Sequence, residues 1–255
     1  MSESQSRIRR AVQRGILRPM GRGMRIAATV IGAASLARIV QYRWPRGRVE
    51  DWTTQGDARL RANEARDGKT YFRRGDRSVR DLDGIVLHQM GFTRGDDPDR
   101  YTGVQAHFIV TPNGRIAQLH PISRYLFASS ALNKGTVGVE FAGNFQSDKG
   151  RWHNPSQMGA QEGPTSAQIR AGRYLVGYIR REFAASGGQL KAVWGHRQGT
   201  GLRRANCPGP QIWHGIVPWA NQRYGLQCVA DDTVGDGNPI PESWRAWDDD
   251  DSALA

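Results

Sequence analysis

The sequence predicts an α+β domain, close to the α/β type, in which one central mixed β-sheet is flanked by helices. Three observations carry this. First, GIVLHQM at 84–90 and GTVGVEF at 135–141 are short apolar runs, β-branched in part, of the length a buried strand needs. Second, AHFIVTPNGRIAQLH at 106–120 has the pattern of a hairpin. Apolar residues flank Pro112, Asn113 and Gly114, and Asn-Gly supplies the positive φ of a tight turn. Third, TSAQIRAGRYLVGYIRREFAAS at 165–186 has Ile169, Leu175, Ile179 and Phe183 near helical spacing, with Tyr174 less well phased. Thr165 or Ser166 can cap this helix, and Gly187-Gly188 ends it. KAVWGH at 191–196 then reads as a further short strand. Reactive side chains stand at strand ends, where sites in such sheets gather.

A chain of 255 residues fits one ordinary domain with extensions or two small ones. A hydrophobic content of 38% implies that part of it is unpacked. The expected organisation is a basic extension over 1–50, a polar linker over 51–80, a catalytic-type domain over 81–224 and an acidic tail over 225–255. The net charge of +12 is unevenly spread, with arginines crowding the first fifty positions and aspartates the end, including the run at 248–251. Trp244 and Trp247 beside that run make the tail either a docking segment or a solvated end, and the solvated end is the expectation. A basic chain is drawn to polyanions, which include nucleic acid, anionic membrane and anionic wall polymers. Nucleic acid is disfavoured: the arginines lack interleaved aromatics, and neither helix-turn-helix nor zinc-finger spacing occurs. Residues 24–42 are the most apolar stretch, yet their charge-free part is about 12 residues, too short to span a bilayer. They read either as a signal h-region, with Ser35 and Ala37 as small residues at the cleavage positions, or as a docking helix that stays attached.

Four residues could carry chemistry. His88 and His196 each end an apolar strand, and two strand ends can converge on one point. Cys207 returns on a loop stiffened by Pro208 and Pro210. Two imidazoles and a thiolate match the three protein ligands of a catalytic zinc ion, Zn²⁺, with a fourth position left open. The alternatives are two core histidines with a buried thiol, or a disulfide from Cys207 to Cys228, the only other cysteine. Glu140 interrupts an apolar strand, where a carboxylate is costly unless paired, hydrogen-bonded or functional. Beside a metal it could act as general base and then return the proton to a leaving amine.

The strand ending in His88, the hairpin with Gln118, Asn133 followed by T-V-G-V-E, then G-H-R and C-P-G-P stand in an order that resembles the zinc-dependent N-acetylmuramoyl-L-alanine amidases. This group includes phage lysozyme-type amidases, cell-wall recycling amidases and peptidoglycan recognition proteins. The resemblance covers about residues 82–213. It implies a zinc site of His88, His196 and Cys207, the last position being Cys or Asp in the family. It also implies hydrolysis of the amide between N-acetylmuramic acid and L-alanine in peptidoglycan, by a monomer. Some members carry a Tyr before the hairpin His, but Ala106 stands here, so the chain resembles the branch that relies on the Glu at Glu140. His107 is then not a ligand. Asn133 and Arg197 are expected to position substrate. Two departures stand out. Ala205 occupies the place of a frequent Lys two residues before the last ligand, which leaves Arg204 or Arg203 to hold the oxyanion. The stretch 127–130 lacks a His that is usual there. These departures keep a second function open, a non-catalytic peptidoglycan-binding module that retains the metal site. Export to the periplasm, wall or medium, or association with a phage, fits either function, and a cytoplasmic location stays open.

Overall fold

The computed structural model describes residues 49–148, 150–151 and 161–245. The basic head with its 24–42 segment, and residues 246–255 with Trp247 and the acidic run, lie outside the described residues. Six strands form one mixed sheet: β1 (Val49–Asp51), β5 (Ile116–Gln118), β4 (Phe108–Val110), β7 (Thr136–Phe141), β3 (Gly84–Gln89) and β8 (Ala192–Gly195), in that spatial order. All neighbours run parallel except the β4–β5 hairpin. A second pair, β2 (Phe72–Asp76) with β6 (Arg124–Leu126), is antiparallel.

The alternation of side chains sets the two faces. Ile85 and Leu87 on β3, with Val137, Val139 and Phe141 on β7, belong to the main core. That core is completed by α2 (Ser166–Ala185) and α3 (Pro210–Tyr224). The residues between them, Val86 and His88 on β3 and Gly138 and Glu140 on β7, therefore point to the opposite face. The expected helix at 165–186 is present, and Thr165 is its cap. The Thr165 hydroxyl accepts from the Gln168 N–H at 3.1 Å, and the Gln168 carboxamide accepts from the Thr165 N–H at 3.0 Å. Helices α2 and α3 pack closely because glycines face them: a Cβ on Gly172 would lie 2.5 Å from the Ile216 side chain. The expected hairpin turn is present, and Gly114 of the Asn-Gly pair supplies its positive φ. Among its non-glycine residues none has positive φ, and Gly114 alone, at φ 83°, is left-handed. The Gly114 N–H donates to the Thr111 carbonyl at 2.8 Å, and the Asn113 carboxamide oxygen accepts from the Thr111 hydroxyl at 2.7 Å.

Residues 51–80, expected as a linker, instead hold α1 (Thr53–Asp67) and β2. Helix α1 buries only Gly56 and Leu60, too little apolar surface to register as an amphipathic stripe. It is held by close approach and by charge. A Cβ on Gly56 would sit 2.0 Å from the Leu119 carbonyl oxygen. Asp57 binds the buried His120 ring and the Arg124 guanidinium, both at 2.7 Å. The tail also differs from expectation as far as residue 245. Val229, Ala230, Ile240 and Trp244 are buried, and a short helix, α4 (Glu242–Arg245), docks Trp244 in the main core. Acidic composition concealed this, because four apolar side chains spaced through a charged stretch are enough to anchor it. Among the described residues, no helix is long and apolar enough to cross a membrane.

Candidate metal centre

Strand register brings the reactive residues into one row. In the parallel ladders His88 is paired with Glu140, and Leu87 with Gly195, so His196 falls level with His88 on its other side. The sequence-predicted residues His88, His196, Cys207 and Glu140 thus meet at the ends of three adjacent strands. The His88 Nδ1 and His196 Nδ1 atoms lie 2.9 Å apart, and a Glu140 oxygen lies 3.8 Å from His88 Nδ1. One ligand atom from each of His88, His196 and Cys207 fits within a 4.8 Å cluster, and all three residues are buried.

The loop after β8 delivers the thiol. The Cys207 N–H donates to the Arg204 carbonyl at 2.9 Å, and the Cys207 carbonyl accepts from the Arg197 N–H at 3.0 Å. The Cys207–Pro208 peptide is cis, and Gly209 at φ 98° leads directly into α3. Cys207 is buried and Cys228 exposed, and both are free thiols, so no disulfide joins them.

Burial dominates the electrostatics. It pushes the His88 imidazole well below its usual range, aided by His196 and by the charge of Arg204. It lowers His196 to about 3, again with Arg204 contributing. Both rings are therefore neutral, which is the ligating form. Burial raises the Cys207 thiol and lifts Glu140 to about 8, with Arg204 opposing the rise. Among the described residues, the buried Glu140 Oε2 and His196 Nε2 atoms have no hydrogen-bond partner. Arg204 is half-buried and its charge acts on all four groups, whereas Arg203 is exposed. Of the two arginines, the structure brings only Arg204 into the field of the site.

Asn133 and Arg197, expected to hold substrate, both make contacts within the scaffold. The Asn133 carboxamide oxygen accepts from the Ala128 and Ser129 N–H groups at 3.0 and 2.6 Å. The Arg197 guanidinium donates to the Ala205 carbonyl at 2.5 Å and stacks over Trp244. Asn133 still serves the site indirectly, because it fixes Ser129. The Ser129 hydroxyl meets His88 Nε2 at 3.0 Å. A proton held on Nε2 by that bond leaves the Nδ1 lone pair facing His196. No local sequence signal marks Ser129, since its role depends on a contact with a strand 41 residues away in the chain. His107 is a scaffold residue. Its Nδ1 accepts from the Gly138 N–H at 3.0 Å, and its Nε2 lies 2.9 Å from the Arg124 carbonyl oxygen.

Two neutral imidazole nitrogens facing each other with a thiol beside them form a donor set that fits a metal of zinc type. The span that carries this set also carries a family match: residues 78–210 match the N-acetylmuramoyl-L-alanine amidase family. The chain belongs to the N-acetylmuramoyl-L-alanine amidase family. Membership gives it a peptidoglycan-related activity. Solved structures with similar folds include the amidase LysC from Clostridium intestinale, at 16% identity and a TM-score of 0.42, covering 62% of this chain and 95% of that one. They also include Drosophila PGRP-LB, at 14% identity and a TM-score of 0.44, covering 72% and 99%. Apis mellifera PGRP-SA is a third, at 12% identity and a TM-score of 0.43, covering 69% and 96%. A search of curated proteins finds no match. The amidase match ends at residue 210, the first residue of α3.

Proposed function

We propose that this amidase-family protein hydrolyses the amide between the lactyl group of N-acetylmuramic acid and L-alanine in peptidoglycan, with zinc held by His88, His196 and Cys207. The observation that carries the reading is Glu140, whose Oε1 lies 3.8 Å from His88 Nδ1, a prospective ligand nitrogen, while its buried Oε2 has no hydrogen-bond partner among the described residues. When bound, zinc supplies Lewis acidity toward the scissile carbonyl and makes a water molecule more acidic. Glu140 accepts the proton of the attacking water at its carboxylate. As the C–N bond breaks, Glu140 returns that proton to the leaving amine, giving a lactyl carboxylate and a free L-alanine amino group. The high proton affinity that burial confers on Glu140 suits a group that first takes and then returns a proton. Arg204, whose charge acts on the four site groups, would hold the oxyanion in place of the Lys that Ala205 replaces.

Arg204→Ala is expected to lower kcat about 100- to 1,000-fold, the usual loss for one oxyanion donor. Arg203→Ala should leave kcat unchanged, and steady-state rates on purified wall decide between them. The substrate places the protein's action at the wall, through export or with a phage, and the basic residues 1–50 favour approach to anionic wall polymers or membrane.

A second reading is favoured by Ala205: a binding module that keeps the metal but does not cut. Incubation with purified walls, scored by new L-alanine amino termini, separates the two. Zinc binding without release of amino termini on several wall types would overturn the hydrolase.

A further inference from the structure

Residues 226–245 lie beyond the amidase-family match and run back over the turn that carries His196. That turn, His196–Gly199, is a single 3₁₀ turn whose polar groups are buried. The C-terminal segment satisfies several of them. The Arg197 carbonyl accepts from the Asn238 N–H, and the Gln198 carbonyl from the Val234 N–H, both at 2.8 Å. The Asn238 carboxamide donates to the Thr200 carbonyl at 3.2 Å. The Gln198 side chain is fully buried and works in both directions. Its oxygen accepts from the Gly195 N–H at 2.8 Å, while its nitrogen donates to the Val229 carbonyl and, at 2.9 Å, to the Asp232 carbonyl. The segment lies so close that a Cβ on Gly237 would fall 1.9 Å from the Gln198 carbonyl oxygen.

The far end of the segment reaches the other ligand. The Trp244 ring lies 4.9 Å under the Arg197 guanidinium, and that guanidinium holds the Ala205 carbonyl two residues before Cys207. The Trp244 indole N–H donates to Asp148 at 2.9 Å, which fixes the ring.

We infer that residues 226–245 form a strap that holds His196 and Cys207 in ligating position, with Gln198, Asn238 and the Arg197–Trp244 pair as its positioning residues. The strap supplies partners to the buried Arg197 and Gln198 carbonyls and to the half-buried Thr200 carbonyl. Without it those groups would be orphaned and the turn would relax. This inference rests on the metal-site reading above.

The test uses the full chain. Zinc affinity is measured by competition with a chelating dye, ligand geometry by the visible absorption of the Co²⁺-loaded protein, and folding by far-UV circular dichroism and Tm. Gln198→Met keeps the volume but removes all three side-chain hydrogen bonds. It should weaken zinc binding about 10- to 100-fold, the range for lost outer-sphere partners, and shift the Co²⁺ bands while the far-UV spectrum is retained. Trp244→Phe, which keeps an aromatic ring for Arg197, should retain most of the affinity that Trp244→Leu loses. If Gln198→Met does not fold, Asn238→Ala carries the test, since its side chain makes a single bond to the turn. Folded variants that lose Tm but keep wild-type zinc affinity and Co²⁺ bands would overturn the inference and leave the metal site standing. A wild-type protein that binds neither ion would overturn the metal-site reading and the strap with it.

Discussion

Glu140→Gln is expected to lower kcat on purified peptidoglycan by about 100- to 10,000-fold, the range that a general base or acid contributes. The carboxamide has the size and shape of the carboxylate but cannot take a proton from water. Because the Glu140 side chain is largely buried and one of its oxygens has no hydrogen-bond partner, the substitution removes no tie that the fold uses. Zinc content and Tm should therefore stay at wild-type values. Glu140→Ala should likewise abolish turnover and keep the metal. Metal analysis alongside single-turnover kinetics checks both halves. A Gln variant with wild-type kcat would remove Glu140 from the mechanism.

The second large effect concerns the thiol. Cys207→Ala leaves two imidazoles, and zinc affinity should fall by more than about 100-fold, beyond the loss seen for outer-sphere changes. Turnover should vanish at limiting zinc. Cys207→Asp restores an anionic ligand and should recover part of the affinity, because carboxylate oxygen also binds zinc. Chelation of the wild-type protein should abolish activity reversibly without unfolding it. In the metal-free protein burial keeps both imidazoles neutral and the thiol protonated, so no bare charge from the ligand set is left in the core. Zinc added back should raise Tm in proportion to the logarithm of its concentration. Inductively coupled plasma analysis with thermal melts reads each arm, and a Cys207→Ala protein that keeps stoichiometric zinc and full activity would sink the assigned ligand set.

How far the sequence foretold this arrangement depends on the kind of signal. Strands β3 and β7 and helix α2 were legible because burial forces continuous apolar runs, and a capping residue marks a helix start wherever it falls. His88, His196 and Glu140 were legible because each breaks an apolar strand or follows one, and Cys207 because one of only two cysteines stands before Pro-Gly-Pro. Helix α1 was not, since a glycine pressed on a carbonyl and an Asp–His–Arg cluster leave no periodicity to read. The strap was hidden by its charge. The scaffold contacts of Asn133 and Arg197 were not legible, because they join side chains to loop carbonyls and amides that no local pattern marks. Ser129 was invisible for the opposite reason: nothing in its neighbours separates it from any loop serine.

The row that joins Glu140, His88 and His196 has a consequence for how this chain can change. Insertions in loops move nothing in that row, but one residue added inside β7 would turn Glu140 away and bring Val139 into its place beside His88. The carboxylate would then be forced into the helix-facing core, where Val139 and Phe141 now pack. Length variation is therefore tolerated between the strands and excluded within them. The reading frame of the sheet, more than the identity of any loop, is what descendants of this sequence would have to inherit intact.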